Sequence, residues 1–396
     1  MTEILNGERL GAVCAVCGQD EWVKLPFFSS DQSVTTSGII VHAPLGKAQC
    51  THCGLVQRVG QKYLALSNFY EKSYHTYFNR PGAETFETRR YQSMASWMAG
   101  AISSFIPDTI LDVGCGSGWT MREMAIFFPH ADFTGVEPSE EDAAACIKNG
   151  MKVINNTIEG AKESLIQYDL VYSNNVIQHS VSPMEFLQNL KELVTDEGLI
   201  LITCPDTSIP SNEMMWSDQN FSLAPCHLIK IVVEAGLNVL ELNSAAGVAS
   251  IANKQLMVLS KSGNSIIDLE KYQSFNVHDN IKRRFEYLES WMSLDQALLD
   301  VVSQKKNVYN FGASMWSYLL RAYCPKYWGR VNCCVIDDYV GIFMDKSVQD
   351  INHIEFTKDD IIVLGTEPLS QNLLLNKLQL RGINVEIHTW NNIVSQ

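Results

Sequence analysis

The sequence predicts an α/β protein in which two Rossmann-like domains follow a small cysteine-rich module. Three observations predict this order: two pairs of cysteines before residue 54, a glycine-rich turn between a strand and a helix near residue 114, and a second alternation of strands and helices after residue 307. The chain has 396 residues and is 46% hydrophobic. A chain of this length and apolar content can form two or three domains, each with its own core.

Charge and hydropathy exclude several classes of protein. The chain carries 44 acidic and 30 basic side chains, a formal net charge of -14. Because affinity for nucleic acid rests largely on clustered Lys and Arg, we expect no nucleic-acid partner. No apolar run approaches the roughly 20 residues that span a bilayer, so we expect no membrane association. The first residues do not resemble a signal peptide, and we expect a cytoplasmic protein with reduced thiols.

Four of the eleven cysteines form two matched pairs, Cys14-Ala-Val-Cys17-Gly and Cys50-Thr-His-Cys53-Gly. In each pair a two-residue spacer lets both thiolates reach one ion, and the Gly permits the backbone conformation of a tight knuckle. Four thiolates form a closed tetrahedral set, which suits structural Zn²⁺ and leaves no open position for catalysis. The sequence therefore predicts a structural zinc site, with four reduced core thiols as the alternative.

An aromatic and polar segment, residues 67–78, follows the cysteine module and contains Tyr74-His-Thr-Tyr77. This mixture favours an arm over a cleft rather than a core strand. We expect Tyr74 and Tyr77 to cover a bound ligand or to donate to its oxygens, with ordinary interdomain packing as the alternative. An amphipathic helix is predicted over 84–106, and Pro107 ends it.

The stretch from 109 to 137 is the most informative part of the sequence. A short apolar strand over 109–113 runs into Gly-Cys-Gly-Ser-Gly at 114–118 and then into a helix over 119–128. Glycines let the backbone approach a ligand closely, and free N–H groups at a helix start favour an anionic group. The next strand, 132–137, ends at Glu137, where a carboxylate accepts hydrogen bonds from ribose hydroxyls. The pattern predicts the first unit of a nucleotide-binding domain.

The following residues continue the same predicted sheet. Strands over 168–173 and 199–203 flank a helix over 183–194 and a turn at 195–198. Ligand sites in such sheets lie at the carboxyl ends of the strands. We therefore expect one crevice to be lined by Asp112, Glu137, Asn174 and the pair Gln178-His179.

These motifs together resemble those of the class I S-adenosylmethionine-dependent methyltransferases. The glycine spacing at 114–118 is more typical of that class than of nicotinamide dehydrogenases, the alternative, which usually carry G-x-G-x-x-G. The resemblance implies that Glu137 holds the ribose and that Asn174 lies beside the sulfonium. The residues that it assigns to S-adenosylmethionine are Asp112, Gly114, Cys115, Gly116, Gly118, Trp119, Glu137, Pro138, Asn174 and Gln178.

A second α/β unit is predicted beyond a linker at 261–265 and an amphipathic helix over 281–302. Its strands are predicted over 308–311, 333–337, 361–364 and 384–387, with helices between them. The first turn holds a single glycine, Gly312, so we expect a scaffold or a support for the substrate rather than a cofactor site. The pair Asp359-Asp360 is expected at the surface.

The order of these parts resembles the three-domain sugar C-methyltransferases, which act on nucleotide-linked 4-keto deoxysugars. Comparable motifs of that family lie at Tyr74-His-Thr-Tyr77, at 174–179 and at 309–313. The resemblance implies a zinc-binding module over 1–68, a methyltransferase domain over 69–262, and a helical linker with an α/β domain over 263–396. It also implies a small nucleotide-sugar substrate of deoxysugar biosynthesis.

One departure from that family concerns the general base. The family usually carries a His-Glu-His-like segment where this chain has Ser217-Asp218-Gln219. Transfer to carbon needs a base for the proton α to a ketone, and transfer to oxygen needs one for a hydroxyl. We expect His179 to take this role because imidazole titrates near neutral pH, with Asp218 and His227 as alternatives. Candidates for contacts with the diphosphate are Arg80, Arg89, Arg90 and Arg321.

Other functions stay open at the level of sequence. The chemistry of the nucleophile allows sugar O-methylation as well as C-methylation. Some RNA methyltransferases also begin with a four-cysteine zinc knuckle, although the charge of -14 disfavours RNA. The missing histidine segment also allows a degenerate methyltransferase fold that binds without catalysis.

Overall fold

The computed structural model describes residues 7–26, 32–59, 66–72, 83–245, 251, 253–268, 272 and 276–394. The chain divides into two compact units. Unit 1 comprises Met1–Val23, Lys47–Ile209 and Gln219–His278, and unit 2 comprises Lys24–Gly46, Pro210–Asp218 and Asp279–Gln396. The sequence-based division at 68/69 and 262/263 stays a prediction.

A small sheet in unit 1 carries the paired cysteines. Its strands, in chain order, are β1 (Glu8–Arg9), β2 (Glu21–Lys24), β5 (Lys47–Cys50), β6 (Val56–Arg58) and β12 (Phe221–Ser222). They lie side by side in that order, and β12 pairs antiparallel with β6. Trp22 of β2 and Leu55, which immediately precedes β6, belong to the same hydrophobic core as Leu111 of the large sheet. The cysteine module is therefore packed into unit 1 by shared apolar contacts.

The large sheet of unit 1 has seven strands. They are β7 (Thr109–Val113), β8 (Asp132–Val136), β9 (Val153–Ile154), β10 (Tyr168–Asn174), β11 (Val194–Pro205), β13 (Asn238–Ser244) and β14 (Lys254–Ser260). Their order is β13-β14-β11-β10-β7-β8-β9. The pairs from β11 to β9 are parallel, and β14 is antiparallel to both β11 and β13. From β7 the chain adds β8 and β9 on one side, and then crosses to add β10 and β11 on the other side. The strand order therefore reverses between β7 and β10, and such folds bind ligands at this point.

Helices cover both faces of this sheet, so its strands are apolar on both sides. In β7, Leu111 enters one core and Ile110 the other, and in β10 Val171 and Leu170 divide in the same way. The helices of unit 1 are α1 (Leu66–Lys72), α2 (Ala83–Ala101), α3 (Trp119–Phe127), α4 (Glu140–Lys148), α5 (Ile158–Ala161), α6 (Pro183–Leu193) and α7 (Pro225–Glu234).

Two boundaries predicted in this region are wrong. The predicted turn at 195–198 lies inside β11, because the register against β10 jumps from Tyr168↔Val194 to Leu170↔Leu199 and the extra residues form a bulge. The helix predicted over 84–106 ends at Ala101, and tighter turns closed by Ile102 and Phe105 N–H groups follow it. The strand over 109–113 is confirmed.

Unit 2 contains a second sheet. Its strands are β15 (Asn307–Phe311), β16 (Cys333–Ile336), β17 (Gly341–Phe343), β18 (Lys346–Asp350), β19 (Asp360–Leu364) and β20 (Glu386–His388), in the order β17-β18-β16-β15-β19-β20. The sheet is parallel except for β17, the strand antiparallel to β18. A short hairpin, β3 (Ser33–Val34) and β4 (Ile40–Val41), belongs to the same unit. The remaining helices are α8 (Val277–Val302), α9 (Met315–Tyr323), α10 (Pro325–Arg330) and α11 (Pro368–Leu380).

The sequence did not predict α10 or the hairpin of β17 and β18, and it misplaced Asp360. This carboxylate is 1% exposed rather than at the surface, because it accepts hydrogen bonds from Thr357 N–H and the Asn307 amide. Among the described residues, no helix combines the length and the apolar character that crossing a bilayer requires.

Candidate active site

A cavity of about 570 Å³ opens in unit 1 at the carboxyl ends of β7, β8 and β10. This volume falls within the range of small-molecule sites. Eight residues that the sequence assigns to the cofactor or to catalysis line it: Gly114, Cys115, Gly116, Trp119, Glu137, Pro138, Asn174 and His179.

The loop between β7 and α3 forms one wall of this cavity. Gly114, Gly116 and Gly118 all have positive φ, at 76°, 52° and 81°. At Gly114 a Cβ atom would lie 2.4 Å from Cγ2 of Val176, another cavity residue. Side chains at these positions would therefore be strained or would fill the cradle, which explains the glycine spacing.

Glu137 holds this loop in place. Its carboxylate accepts from Gly116 N–H at 2.7 Å and from Ser139 N–H at 2.8 Å. Burial raises the pKa of Glu137 to about 7, although both N–H groups favour the ionised form. Each carboxylate oxygen can accept a further hydrogen bond, so the group can still hold ribose hydroxyls.

Asp112 lies behind the loop and does not itself line the cavity, so far as the chain is described. It is 1% exposed, and Tyr172 Oη donates to its Oδ2 at 2.7 Å. Its Oδ1 has no hydrogen-bond partner among the described residues. Burial raises the pKa of Asp112 to about 8. A buried carboxyl with a spare acceptor fits a cationic ligand nearby, and S-adenosylmethionine carries a sulfonium and an ammonium.

A hydrogen-bond chain fixes the end of β10. Lys254 Nζ donates to Asn175 Oδ1 at 2.6 Å, and Asn175 Nδ2 donates to Asn174 Oδ1 at 2.8 Å. Thr203 Oγ1 also donates to Asn174 Oδ1, and Asn174 Nδ2 donates to Thr120 Oγ1 at 3.0 Å. Asn175 adopts φ 59°, a conformation that non-glycine residues rarely take. The chain therefore sets the orientation of the Asn174 amide at the cavity wall.

His179 follows β10 on a short 3-10 turn, Ile177–His179, and lines the cavity. Its Nδ1 lies 3.1 Å from Tyr70 Oη. The backbone carbonyls of His179 and Ser180 accept from Asn220 Nδ2 at 3.0 and 3.1 Å. Asn220 is 2% exposed and precedes β12, so the small sheet and the loop that carries His179 share a fixed contact.

Aromatic and cationic side chains form another part of the wall. Tyr91 and Trp119 stack with centroids 6.1 Å apart, and the Arg122 guanidinium lies 3.8 Å from the Trp119 centroid. Arg90 also lines the cavity, with its guanidinium 5.1 Å from the Tyr91 ring. Of the four arginines proposed for a diphosphate, Arg90 lines this cavity, Arg321 belongs to unit 2, and Arg80 lies outside the described residues.

Several predicted site residues lie elsewhere. Gly118 caps α3, and Gln178 is 2% exposed; within the described chain neither of them lines the cavity. Asp218 is 3% exposed in unit 2, where its carboxylate accepts from the backbone and hydroxyl of Thr36. Tyr74 and Tyr77 lie outside the described residues.

His227, the other alternative base, is a structural residue. Its Nδ1 accepts from Ala224 N–H at 3.1 Å, so the proton lies on Nε2, which donates to the Cys53 carbonyl at 2.8 Å. The side chain is 2% exposed. Both ring nitrogens make hydrogen bonds to the backbone, and the residue joins the start of α7 to the second cysteine knuckle.

The two knuckles bring their four thiols together. The Sγ atoms of Cys14, Cys17, Cys50 and Cys53 all lie within 4.8 Å of one another. In each knuckle the Gly donates to the first Cys carbonyl at 3.0 Å, with φ 72° at Gly18 and 77° at Gly54. Four thiolates around one Zn²⁺ lie about 3.8 Å apart, so this donor set fits a tetrahedral zinc ion.

The sequence reasoning missed Tyr70, Asn220 and Lys254. Tyr70 belongs to the aromatic segment 67–78, which was predicted to form an arm. Nothing in the sequence distinguishes it from Tyr74 and Tyr77 in that segment. Lys254 is a charged residue at the start of a strand whose centre, 256–259, is apolar, and this contrast is detectable in the sequence. Asn220 had no signal, because its position depends on the pairing of β12 with β6, in which Phe221 lies opposite Gln57 from far earlier in the chain.

Comparison with known families agrees with this geometry. A family model described as a methyltransferase domain matches residues 76–242. The match and the strand order show that unit 1 contains a class I S-adenosylmethionine-dependent methyltransferase core. The predicted core is thus confirmed, whereas the resemblance to sugar C-methyltransferases stays a prediction.

Individual relatives match over part of their length. The malonyl-[acyl-carrier protein] O-methyltransferase of Halalkalibacterium halodurans is 33% identical over 111 residues, 26% of this chain and 41% of that enzyme. The ubiquinone biosynthesis O-methyltransferase of Rickettsia canadensis is 27% identical over 142 residues, 34% of this chain and 60% of that enzyme. A solved plantazolicin methyltransferase, BpumL with SAH, aligns with a TM-score of 0.37 and 16% identity, covering 50% of this chain and 95% of that one.

Proposed function

We propose that this protein is an S-adenosylmethionine-dependent methyltransferase that acts on a small molecule. The observation that carries the proposal is the joint placement of the 114–118 loop, Glu137 and Asn174 around one cavity at the sheet's reversal point. When bound, S-adenosylmethionine supplies an activated methyl group. Glu137 and the loop would hold its ribose and methionine parts, and Asn174 would lie beside the sulfonium.

Calorimetry on the full chain tests cofactor binding. We expect S-adenosylhomocysteine to bind and Glu137→Gln to weaken binding by about tenfold or more, because hydrogen bonds to a charged group are lost. Glu163→Gln is the matched control, since Glu163 is exposed. Absence of binding by the wild-type chain would contradict the proposal, including its RNA-directed alternative, and would leave a non-catalytic fold.

The chemistry at the cavity wall supports a base-assisted reaction. If His179 Nδ1–H donates to Tyr70 Oη, the lone pair lies on Nε2, which can accept a proton from the substrate. Tyr70 is then a positioning residue that selects the tautomer. Transfer is an in-line displacement, so the remaining work of the site is to hold the nucleophile near attack distance.

For the substrate, we propose a nucleotide-linked keto sugar methylated at carbon. The order of the cysteine module, the methyltransferase core and a second Rossmann-like sheet supports this class, as does a base beside the cavity. Sugar O-methylation is the second candidate, and it is favoured by the O-methyltransferases among the relatives.

Hydrogen exchange separates these two reactions. With a nucleotide-linked 4-keto deoxysugar and S-adenosylhomocysteine in D₂O, the carbon route requires deuterium to enter the carbon α to the ketone faster than in buffer. We expect His179→Ala to abolish this exchange. Methyl transfer without any enzyme-dependent exchange would instead favour oxygen as the nucleophile.

We also propose that the four cysteines bind structural Zn²⁺. The closed set of thiols and the absence of an open ligand position support this role. Metal analysis of the purified chain should find one zinc, and Cys53→Ser should lose it. Cys226→Ser, at a half-buried cysteine outside the cluster, is the control. A folded, metal-free wild-type chain would overturn the proposal.

A further inference from the structure

Unit 2 contains a cavity of its own, about 430 Å³ in volume. Residues of α9, α10, the turn before β18 and the segment around β4 line it. Its charged members are Arg321, Asp345 and Lys346, and His42 stands at its wall. The methyl-transfer chemistry proposed for unit 1 uses none of them.

The Asp345 carboxylate already has two partners in this cavity. Its Oδ1 forms an ion pair with Arg321 Nε at 3.1 Å and accepts a hydrogen bond from Trp328 Nε1 at 3.1 Å. Lys346 Nζ lies 3.9 Å from its other oxygen, beyond hydrogen-bond distance. One carboxylate therefore faces two cations, and the cavity has a net charge of about +1 before His42 is counted, in a chain whose formal charge is -14.

The two cations have unused donors. The Lys346 side chain is 16% exposed, and its ammonium makes no hydrogen bond among the described residues. The Arg321 side chain is 31% exposed, and its terminal nitrogens have no partner in the part of the chain that is described. A mostly buried ammonium without a hydrogen bond is costly, so an anion with several acceptors would relieve both groups.

The rest of the wall is apolar or aromatic. Ile40, Pro325 and the indole of Trp328 border the cavity, and Lys346 Nζ lies 6.0 Å from the indole centroid. A bare phosphate would fill a small part of 430 Å³. The remaining space suits the organic portion of a larger molecule.

We propose that the Arg321 and Lys346 pair makes this cavity a binding site for an organic phosphate, with the phosphate on the two cations and the organic portion against Ile40 and Trp328. The site is a property of unit 2 and stands whether or not methyl transfer is demonstrated. Inorganic and organic phosphates share the chemistry that the cations recognise, so the test includes both.

Calorimetry of the full chain, with S-adenosylhomocysteine present so that the unit 1 cavity is filled, measures binding of inorganic pyrophosphate, uridine diphosphate and uridine. We expect uridine diphosphate to bind more tightly than pyrophosphate, uridine not to bind, and the affinity to fall as salt rises. Lys346→Met, which keeps the length of the side chain, should weaken uridine diphosphate binding by about tenfold or more. Lys358→Met, at an exposed lysine of the same unit, should leave it unchanged.

Arg321→Gln provides a second variant, since this side chain is partly exposed and its loss should be tolerated. Thermal melting of each variant shows that it is folded. Failure of uridine diphosphate to bind, or equal binding by both variants and the wild type, would overturn the proposal. Binding of pyrophosphate without uridine diphosphate would overturn the organic ligand. Loss of S-adenosylhomocysteine binding alone bears on the methyltransferase assignment and not on this site.

Discussion

Tyr70 Oη and His179 Nδ1 lie 3.1 Å apart at the wall of the unit 1 cavity, with their rings nearly perpendicular at 85°. The contact joins α1 to the loop that follows β10. It orients the imidazole of His179 relative to the Tyr70 ring. Tyr70 is therefore the residue through which the proposed role of His179 as a base can be tested.

Replacing Tyr70 with Phe should lower kcat and leave KM for S-adenosylmethionine unchanged. The variant removes one hydrogen bond, so we expect a loss of about fivefold, equivalent to about 1 kcal/mol. Steady-state kinetics measures it, and a double-mutant cycle is the control: in a His179→Ala background the Tyr70→Phe change should have no further effect. Additive losses would show that Tyr70 acts through another group.

Lys254→Met should lower kcat because it releases the Asn175 side chain. Asn175 then loses the contact that helps hold its left-handed backbone, and the Asn174 amide loses its fixed orientation. We expect a reduction of about fivefold to tenfold, measured as kcat at saturating substrate. Lys261→Met, at the residue that follows β14 and pairs with Asp196, should keep full activity. Equal kcat values for the two variants would argue against a role for the hydrogen-bond chain from Lys254 to Asn174.

Asp112 should make the stability of the ligand-free protein depend on pH. Its folded-state pKa of about 8 exceeds the ordinary value of 3.8, so between these limits the folded state holds a proton that the unfolded state releases. The free energy of unfolding therefore falls as pH rises through this window. Asp112→Asn keeps an acceptor for Tyr172 and removes the ionisation. Relative to wild type, its Tm should rise by about 5 °C between pH 5.5 and 8.5.

The control for this experiment is Asp132→Asn, at an exposed aspartate that begins β8. Its Tm should follow the wild type at every pH. If the difference in Tm between Asp112→Asn and the wild type stayed constant from pH 5.5 to 8.5, the predicted pH dependence from Asp112 would be contradicted.

His227→Ala should weaken metal binding by the four-cysteine cluster, the proposed zinc site, without removing a ligand. The change leaves the Cys53 carbonyl and the Ala224 N–H without their partner, which costs about 1–3 kcal/mol for each buried group. We expect a lower Tm and faster loss of metal to a colorimetric chelator. His130→Ala, at an exposed histidine, should release metal at the wild-type rate. If His227→Ala released metal at the wild-type rate, His227 would stabilise the start of α7 and not the metal site.

The sequence by itself determined the local units of this protein. The strand over 109–113, the glycine loop and Glu137 are set by short-range requirements: an apolar strand, positive φ at three glycines and a carboxylate at the next strand end. The two knuckles were readable for the same reason, since spacing within each pair decides which thiols can share an ion.

Tertiary structure alone decided which distant residues serve the site. Asn220 reaches the His179 loop because β12 pairs with β6, and Lys254 reaches Asn175 because β14 lies antiparallel to β11. The roles of the candidate bases also depended on the fold, which buries His227 between two structural contacts and places His179 at the cavity wall. Long-range strand pairing brings such residues together, and no local pattern in the sequence encodes it.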